Sequence, residues 1–248
     1  MIAVITGATG GIGEEFLKRL IGEVDHVWAV GRSDEKLSVL ADRYGEKIIP
    51  VKADLSSKED IFALCRKIES EKPSIRYLVN NAGTARMAPV SDFSIEEISD
   101  MLDINDKAAT LLCRAALPFM AEGSFILNVA SASAFQPNPY IALYSASKAY
   151  LLSFTRSLNV ENKGITCTAV CPGWVDTKML PKKSNGEDIR YPGMDSPERV
   201  VDVALKDCRK RKDVSVSSFY FRYMRFLSKV TPHKTTMKMW VRAIRKFI

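Results

Sequence analysis

The chain has 248 residues, 46% of them apolar, and a formal net charge of +7. That is enough apolar material for one large core, and α/β units of this length commonly make a single domain. Five cysteines, an odd number without metal-ligand spacing, read as reduced thiols of a cytoplasmic protein. The two histidines, His26 and His233, stand away from every motif, so neither a Ser-His-Asp hydrolase nor a metal site is expected. No stretch approaches the ~18 uninterrupted apolar residues of a membrane span.

Met1 to Ile5 is an apolar run of strand type, which leaves no expectation of a signal peptide ahead of it. It runs at once into Thr6-Gly7-Ala8-Thr9-Gly10-Gly11-Ile12-Gly13, after which Phe16, Leu17, Leu20 and Ile21 share a helical face. Strand, glycine turn and helix are the context of a dinucleotide-binding fingerprint. Gly7 permits the tight turn, Gly11 lets the backbone approach a pyrophosphate, and Gly13 lets helix pack close to strand. The helix N-terminus then offers its N–H groups to the phosphates. Further apolar runs at 26–30, 47–51, 75–80, 124–129 and 165–171 alternate with helical stretches. That alternation predicts a doubly wound α/β fold, a parallel sheet with helices on both faces. Cys167 and Cys171 fall in the last run and read as core.

Tyr144 and Lys148 stand four apart, 13 residues and more after Ser131. On a helix they share one face. A phenol normally loses its proton near pH ~10. A neighbouring ammonium favours the phenolate and lowers that value, so Tyr144 is expected to trade a proton near neutral pH.

These motifs resemble the short-chain dehydrogenase/reductase family over residues 1–205. The resemblance rests on the glycine turn at 6–13, Asp54-Leu55 after the third strand, Asn80-Asn81-Ala82-Gly83 after the fourth and Asn105 in a helix. It continues with Ser131 closing the fifth strand, then Tyr144 and Lys148, then Pro172-Gly173-Trp174-Val175-Asp176-Thr177. It implies a Rossmann dinucleotide-binding and catalytic domain at 1–205, with 206–248 as a basic, aromatic-rich helical extension of the same domain. It also implies a homodimer or homotetramer.

By that resemblance Ser131, Tyr144, Lys148 and Asn105 are catalytic. Tyr144 is the acid in reduction and the base in oxidation; Ser131 holds the substrate oxygen. Lys148 depresses the Tyr144 pKa and bonds the nicotinamide ribose, and Asn105 holds a water that links Lys148 to solvent. Gly7, Thr9, Gly10, Gly11, Ile12 and Gly13 take the phosphates, Asp54 and Leu55 the adenine. Asn81, Ala82, Gly83, Pro172, Gly173, Val175 and Thr177 complete the cofactor contacts, Thr177 and the Val175 backbone at the carboxamide. An acidic residue that would accept from a ribose 2′-OH is missing at Gly31. Arg32, with Ser33 as a further donor, suits a 2′-phosphate instead, so NADP(H) is expected in preference to NAD(H).

Ser133, two residues beyond Ser131, either lines the substrate pocket or caps loop backbone. Met87, Phe135, Tyr140, Trp174, Met179 and Leu180 are pocket candidates by position, and suit a lipophilic ketone or secondary alcohol. The polar stretch Lys182-Lys183-Ser184-Asn185-Gly186-Glu187-Asp188 falls where the family has a mobile lid.

Residues 206–248 carry 13 Lys/Arg against 2 Asp/Glu, a local charge of +11, while the rest of the chain is at −4. Phe219, Tyr220, Phe221, Tyr223, Met224, Phe226 and Leu227 form one stretch; after Pro232, Met237, Trp240, Val241, Ile244 and Ile248 recur at helical spacing. Lys238, Arg242, Arg245 and Lys246 lie largely elsewhere on that surface. Packing of both stretches on their own chain or a partner subunit is the leading expectation. Peripheral membrane contact through 219–248 is the alternative. Nucleic acid is not expected, since no recognition motif accompanies the charge. A non-catalytic NADP(H)-binding sensor or interaction protein, and a sugar-nucleotide epimerase or dehydratase, are the competing functions. All four catalytic candidates are present against the first, and the tail is too short for the substrate domain of the second.

Overall fold

The apolar runs become strands β1 (Ile2–Thr6), β2 (His26–Gly31), β3 (Ile48–Lys52), β4 (Ile75–Asn80), β5 (Phe125–Val129) and β6 (Thr166–Val170). The computed structural model describes residues 1–178, 180, 183–184 and 187–244. Met179, Lys182, Asn185, Gly186, Arg245, Lys246 and Ile248, singled out above, lie outside the described residues. Lys183–Ser184 (β7) and Glu187–Asp188 (β8) pair antiparallel. A short strand absent from the expectations, β9 (Val214–Ser215), adds to β6. The large sheet has the order β3-β2-β1-β4-β5-β6-β9 with parallel neighbours throughout.

Helices α1 (Gly11–Leu20), α2 (Asp34–Tyr44), α3 (Lys58–Glu71), α5 (Ala108–Ala116), α6 (Ala142–Glu161) and α7 (Pro197–Arg209) cover the sheet, and α4 (Ile95–Leu102) packs outside them against α6. Successive strand residues face opposite sides. Ala3 and Ile5 therefore pack with Phe16, Leu17, Leu37 and Val201 of α1, α2 and α7. Ile2 and Val4 pack with Ile61, Ile68, Leu112 and Leu158 of α3, α5 and α6. Cys167 and Cys171 are buried, as their strand position implied.

Between α4 and α5 the helix widens into a π turn at Asp103–Lys107, which carries Asn105. Two C-terminal helices follow β9: α8 (Phe219–Val230) and α9 (His233–Ile244). The Phe221 ring occupies the space beside Gly173, where a β-carbon would come within 1.8 Å of it.

Candidate active site

The chain order reverses between β1 and β4, and open α/β sheets bind ligands outside the carboxyl ends of the strands at such a switch point. A continuous cavity of about 2230 Å³ occupies that place, from the glycine turn to α8 and α9. Drug-sized pockets are typically ~300–1,000 Å³, so it has room for two ligands side by side.

At one end the chain turns through Gly7 at φ +64° and Gly11 at φ +52°, left-handed conformations that favour glycine. A β-carbon on Gly13 would sit 2.1 Å from the Gly7 carbonyl oxygen, so the start of α1 is pressed onto the turn. Gly13 therefore serves packing and does not reach the cavity wall. Serine side chains cap α2, α3, α4 and α7, whereas no side chain caps α1, whose first turn faces the cavity.

Thr6 holds this end together. Its hydroxyl accepts from the Asn81 and Ala82 amides, both at 3.0 Å, and the Asn81 side-chain amide donates to the Thr6 and Gly7 carbonyls. Thr9, Gly10, Gly11, Ile12, Arg32, Asp54, Leu55, Asn81, Ala82 and Gly83 all line the cavity, as do Pro172, Gly173, Val175 and Thr177. Burial pushes the Asp54 carboxyl up, but donors from the Ser56 amide and hydroxyl, with Arg32 nearby, outweigh it and leave the group below its usual value. Ser33 departs from expectation: its hydroxyl accepts from the Lys36 amide as the α2 cap, and it does not line the cavity. Lys36 and Arg43, not anticipated, flank Arg32 on the wall. They stand seven apart, two turns, on one face of α2, a periodicity open to reading once the strand end was placed.

In the middle stand the candidate catalytic groups. Ser131 leaves β5 and accepts from the Ser133 amide at 3.1 Å, and its hydroxyl is near enough to the Tyr144 phenol to favour the ionised form in part. Lys148, fully enclosed, donates to the Val129 carbonyl at 2.9 Å, and its Nζ lies 5.8 Å from the centre of the Tyr144 ring. The Asn105 carbonyl oxygen accepts from the Thr84 amide at 2.9 Å, and its Nδ2 donates to the Thr84 carbonyl and to Ser147. A β-carbon on Gly83 would touch both Asn105 and Lys148 at 3.2 Å, so Gly83 lets the two close up.

Two electrostatic expectations need correction. Burial pushes the Tyr144 phenol up, offset in part by Ser131, and Lys148 does not lower it: its ammonium is turned to the Val129 carbonyl. Burial also brings Lys148 down to about 8, with Asp106 holding it up in part. The Asn105 amide spends both donors on protein groups, so a water at its side chain would have to donate to it. Asp106 was not anticipated either: one carboxylate oxygen is buried without a partner, and burial raises its pKa to about 6.

At the far end Met87, Ser133, Phe135, Trp174 and Leu180 line the cavity. The Ser133 hydroxyl is buried and bonds no other protein group, which favours the pocket reading over the cap. Tyr140 is not part of the wall: its backbone turns at φ +67° and its carbonyl accepts from the Ala88 amide. The aromatic lining comes instead from far along the chain. Trp174 packs on Tyr191 at 5.0 Å and stacks on Trp240 at 6.2 Å, and the Trp240 indole donates to the Pro139 carbonyl. Arg225 sits over the Phe135 ring at 5.5 Å.

Comparison with known proteins agrees with this architecture. The family model of short chain dehydrogenases matches residues 1–188. An uncharacterized oxidoreductase of Staphylococcus aureus (strain USA300) is 33% identical over 228 residues, 89% of this chain and 96% of that one. A short-chain dehydrogenase from Sphingobium yanoikuyae, solved in complex with NADPH, superposes with a TM-score of 0.78 at 27% identity over 91% of each chain. The bulky-bulky ketone specific alcohol dehydrogenase from Comamonas testosteroni gives 0.75 at 25% identity, over 93% of this chain and 94% of that one. The chain belongs to the short-chain dehydrogenase family. It is an oxidoreductase that works between C–OH and C=O groups with a nicotinamide cofactor.

Proposed function

We propose that this enzyme is an NADP(H)-dependent oxidoreductase interconverting a lipophilic ketone and its secondary alcohol, with Tyr144 as acid and base. The observation that carries the reading is one cavity with three parts: a glycine turn, a Ser131–Tyr144–Lys148 cluster and an aromatic wall. The first part fits a dinucleotide. Gly7 and Gly11 hold left-handed conformations, no side chain blocks the α1 N-terminus, and a β-carbon on Gly11 would approach Thr177 at 3.2 Å. Arg32 and Lys36 offer cations suited to a 2′-phosphate, with Arg43 beyond them paired to Glu14, and the NADPH of the Sphingobium structure favours the same choice.

The bound nicotinamide supplies or takes the hydride. The chain's own residues manage the proton and the charge. Tyr144, kept neutral by burial, gives its proton to the substrate oxygen in reduction and is left as phenolate; oxidation starts from that phenolate, which takes the proton of the substrate hydroxyl. Ser131 donates to the same oxygen and fixes its position. Lys148, with its pKa near 8, is mostly an ammonium at pH 7; bonded to the Val129 carbonyl, it serves to hold the nicotinamide ribose rather than to shift the Tyr144 phenol. Asn105 fixes Thr84 and Ser147 around Lys148. The buried Ser133 hydroxyl and the apolar wall of Met87, Phe135 and Trp174 select a mostly apolar substrate with a polar group near the carbonyl. Assembly as a homodimer or homotetramer through α5 and α6 belongs to the same reading. Exposed Tyr150, stacked on Phe154 and bonded to Thr110, supports it.

The test is NADPH against NADH consumption on ketosteroids, acyl ketones and aromatic ketones, with Tyr144→Phe alongside. NADPH oxidation on one ketone class, reduced about 10²–10⁴-fold in the variant with NADPH binding kept, is expected. A variant with full activity removes Tyr144 from the chemistry. Tight NADPH binding with no turnover on the panel turns the reading toward a sensor.

A further inference from the structure

The inner faces of α8 and α9 line the cavity through Phe221, Met224, Thr236 and Trp240. The outer face of α8 is unlike that of an ordinary surface helix. Phe219 is 80% exposed, Tyr223 56%, Phe226 63% and Val230 63%. Their spacing of four, three and four places them within an arc of about 60° at ~100° per residue. Arg222 and Lys229 border that stripe, and α9 exposes Lys234, Lys238 and Arg242, a cationic row repeating every four residues. From Val214 to the end the sequence holds eight Lys/Arg and no Asp or Glu.

From this we infer that the α8–α9 pair docks the enzyme in plane on an anionic phospholipid surface, with the Phe219–Val230 stripe entering the apolar boundary and the cations on the headgroups. Four large apolar side chains in one solvent-facing row are not explained by the fold of the chain itself. A second copy of the same face would bring Arg222, Lys229, Lys234, Lys238 and Arg242 against the same five cations, with no acid in α8 or α9 between them. An anionic bilayer satisfies both halves of the face at once. The contact is peripheral, because among the described residues no helix is long and apolar enough to cross a membrane. Tyr220 and Leu227 lie at the edges of the stripe and line the cavity as well, so the docked face adjoins the cavity wall. The docking does not depend on the proposed reaction, and its test does not use turnover.

The experiment is co-sedimentation of the full chain with vesicles of pure phosphatidylcholine and of phosphatidylcholine with about one third phosphatidylglycerol. Sedimentation with the anionic vesicles only, weakening as salt rises, is expected. Phe219→Ser with Phe226→Ser should lower the partition coefficient at least about tenfold. Lys234→Glu, Lys238→Glu and Arg242→Glu together should abolish the preference for anionic vesicles, with melting temperature and NADPH affinity unchanged in both variants. Absence from the anionic pellet at low salt overturns the proposal. So does a serine variant that loses wild-type oligomeric state in size-exclusion chromatography, which would make the stripe a subunit contact. Retention of a single-stranded oligonucleotide by the face, with vesicles failing to compete, would make it a nucleic-acid surface and equally overturn it.

Discussion

Asp106 follows Asn105 in the π turn, with one carboxylate oxygen buried and unpartnered and Lys148 as its nearest electrostatic support. Burial raises its pKa from 3.8 to about 6. Between those values the folded chain holds a proton that the unfolded chain has lost, so stability falls as pH rises through the window. A shift of about two units corresponds to at most ~3 kcal/mol, and partial solvent access reduces it to about 2. Asp106→Asn removes the titration. Denaturant unfolding should show the variant gaining about 2 kcal/mol on wild type between pH 4 and pH 7.5. Parallel stability curves for the two proteins would show that this carboxyl is solvated. Lys148 responds in the same variant: without Asp106 to hold it up, its pKa drops below about 8. An activity that needs the ammonium should then lose its alkaline limb at lower pH.

Helix α1 depends on a contact that no other residue type can make. A β-carbon on Gly13 meets the Gly7 carbonyl at 2.1 Å and the Asn81 amide nitrogen at 2.6 Å, both in the turn that Thr6 ties together. Gly13→Ala must push α1 off the turn, at a cost of about 1–3 kcal/mol by comparison with overpacked cores. NADPH affinity should drop at least tenfold in isothermal titration, and an unchanged affinity would mean that the α1 N-terminus is not where the phosphates sit. This element was open to reading because strand, glycine spacing and helix are local. So were the six strands, whose runs are apolar because both faces of the sheet are covered. Ser131, Tyr144 and Lys148 were legible by their spacing, whereas Asp106, brought to Lys148 by the π turn, was not. What escaped was decided elsewhere in the chain. Tyr140 is turned away by its own left-handed backbone, Ser33 is taken up by capping, and β9 is two residues long. The partners of Trp174, namely Tyr191 and Trp240, are 17 and 66 positions away and share no pattern with it.

Charge and burial divide the molecule along the same line. Up to Asp213 the chain has 28 Lys/Arg and 29 Asp/Glu and is near neutral; from Val214 on it is +8. The near-neutral part holds six of the seven strands of the large sheet and both large apolar clusters. In the basic part α8 buries only Ser228 fully, and α9 only Thr236 and Ile244. Segments with so few buried groups open at free energies far below global unfolding. Hydrogen exchange should therefore be fast across 219–244 and slow through β1, β4 and β5 under native conditions. Two ligands would act on it differently. NADPH, placed at the glycine turn, should protect residues 7–13 and leave α8 and α9 nearly unchanged. An apolar ketone filling the Trp174–Trp240 end, or an anionic vesicle on the outer stripe, should slow exchange in α8 and α9. Native-state exchange with mass detection reads all four conditions. Equal protection of β1 and α9 without ligand would show that the C-terminal pair is an integral layer of the core, and the aromatic end of the cavity a rigid wall.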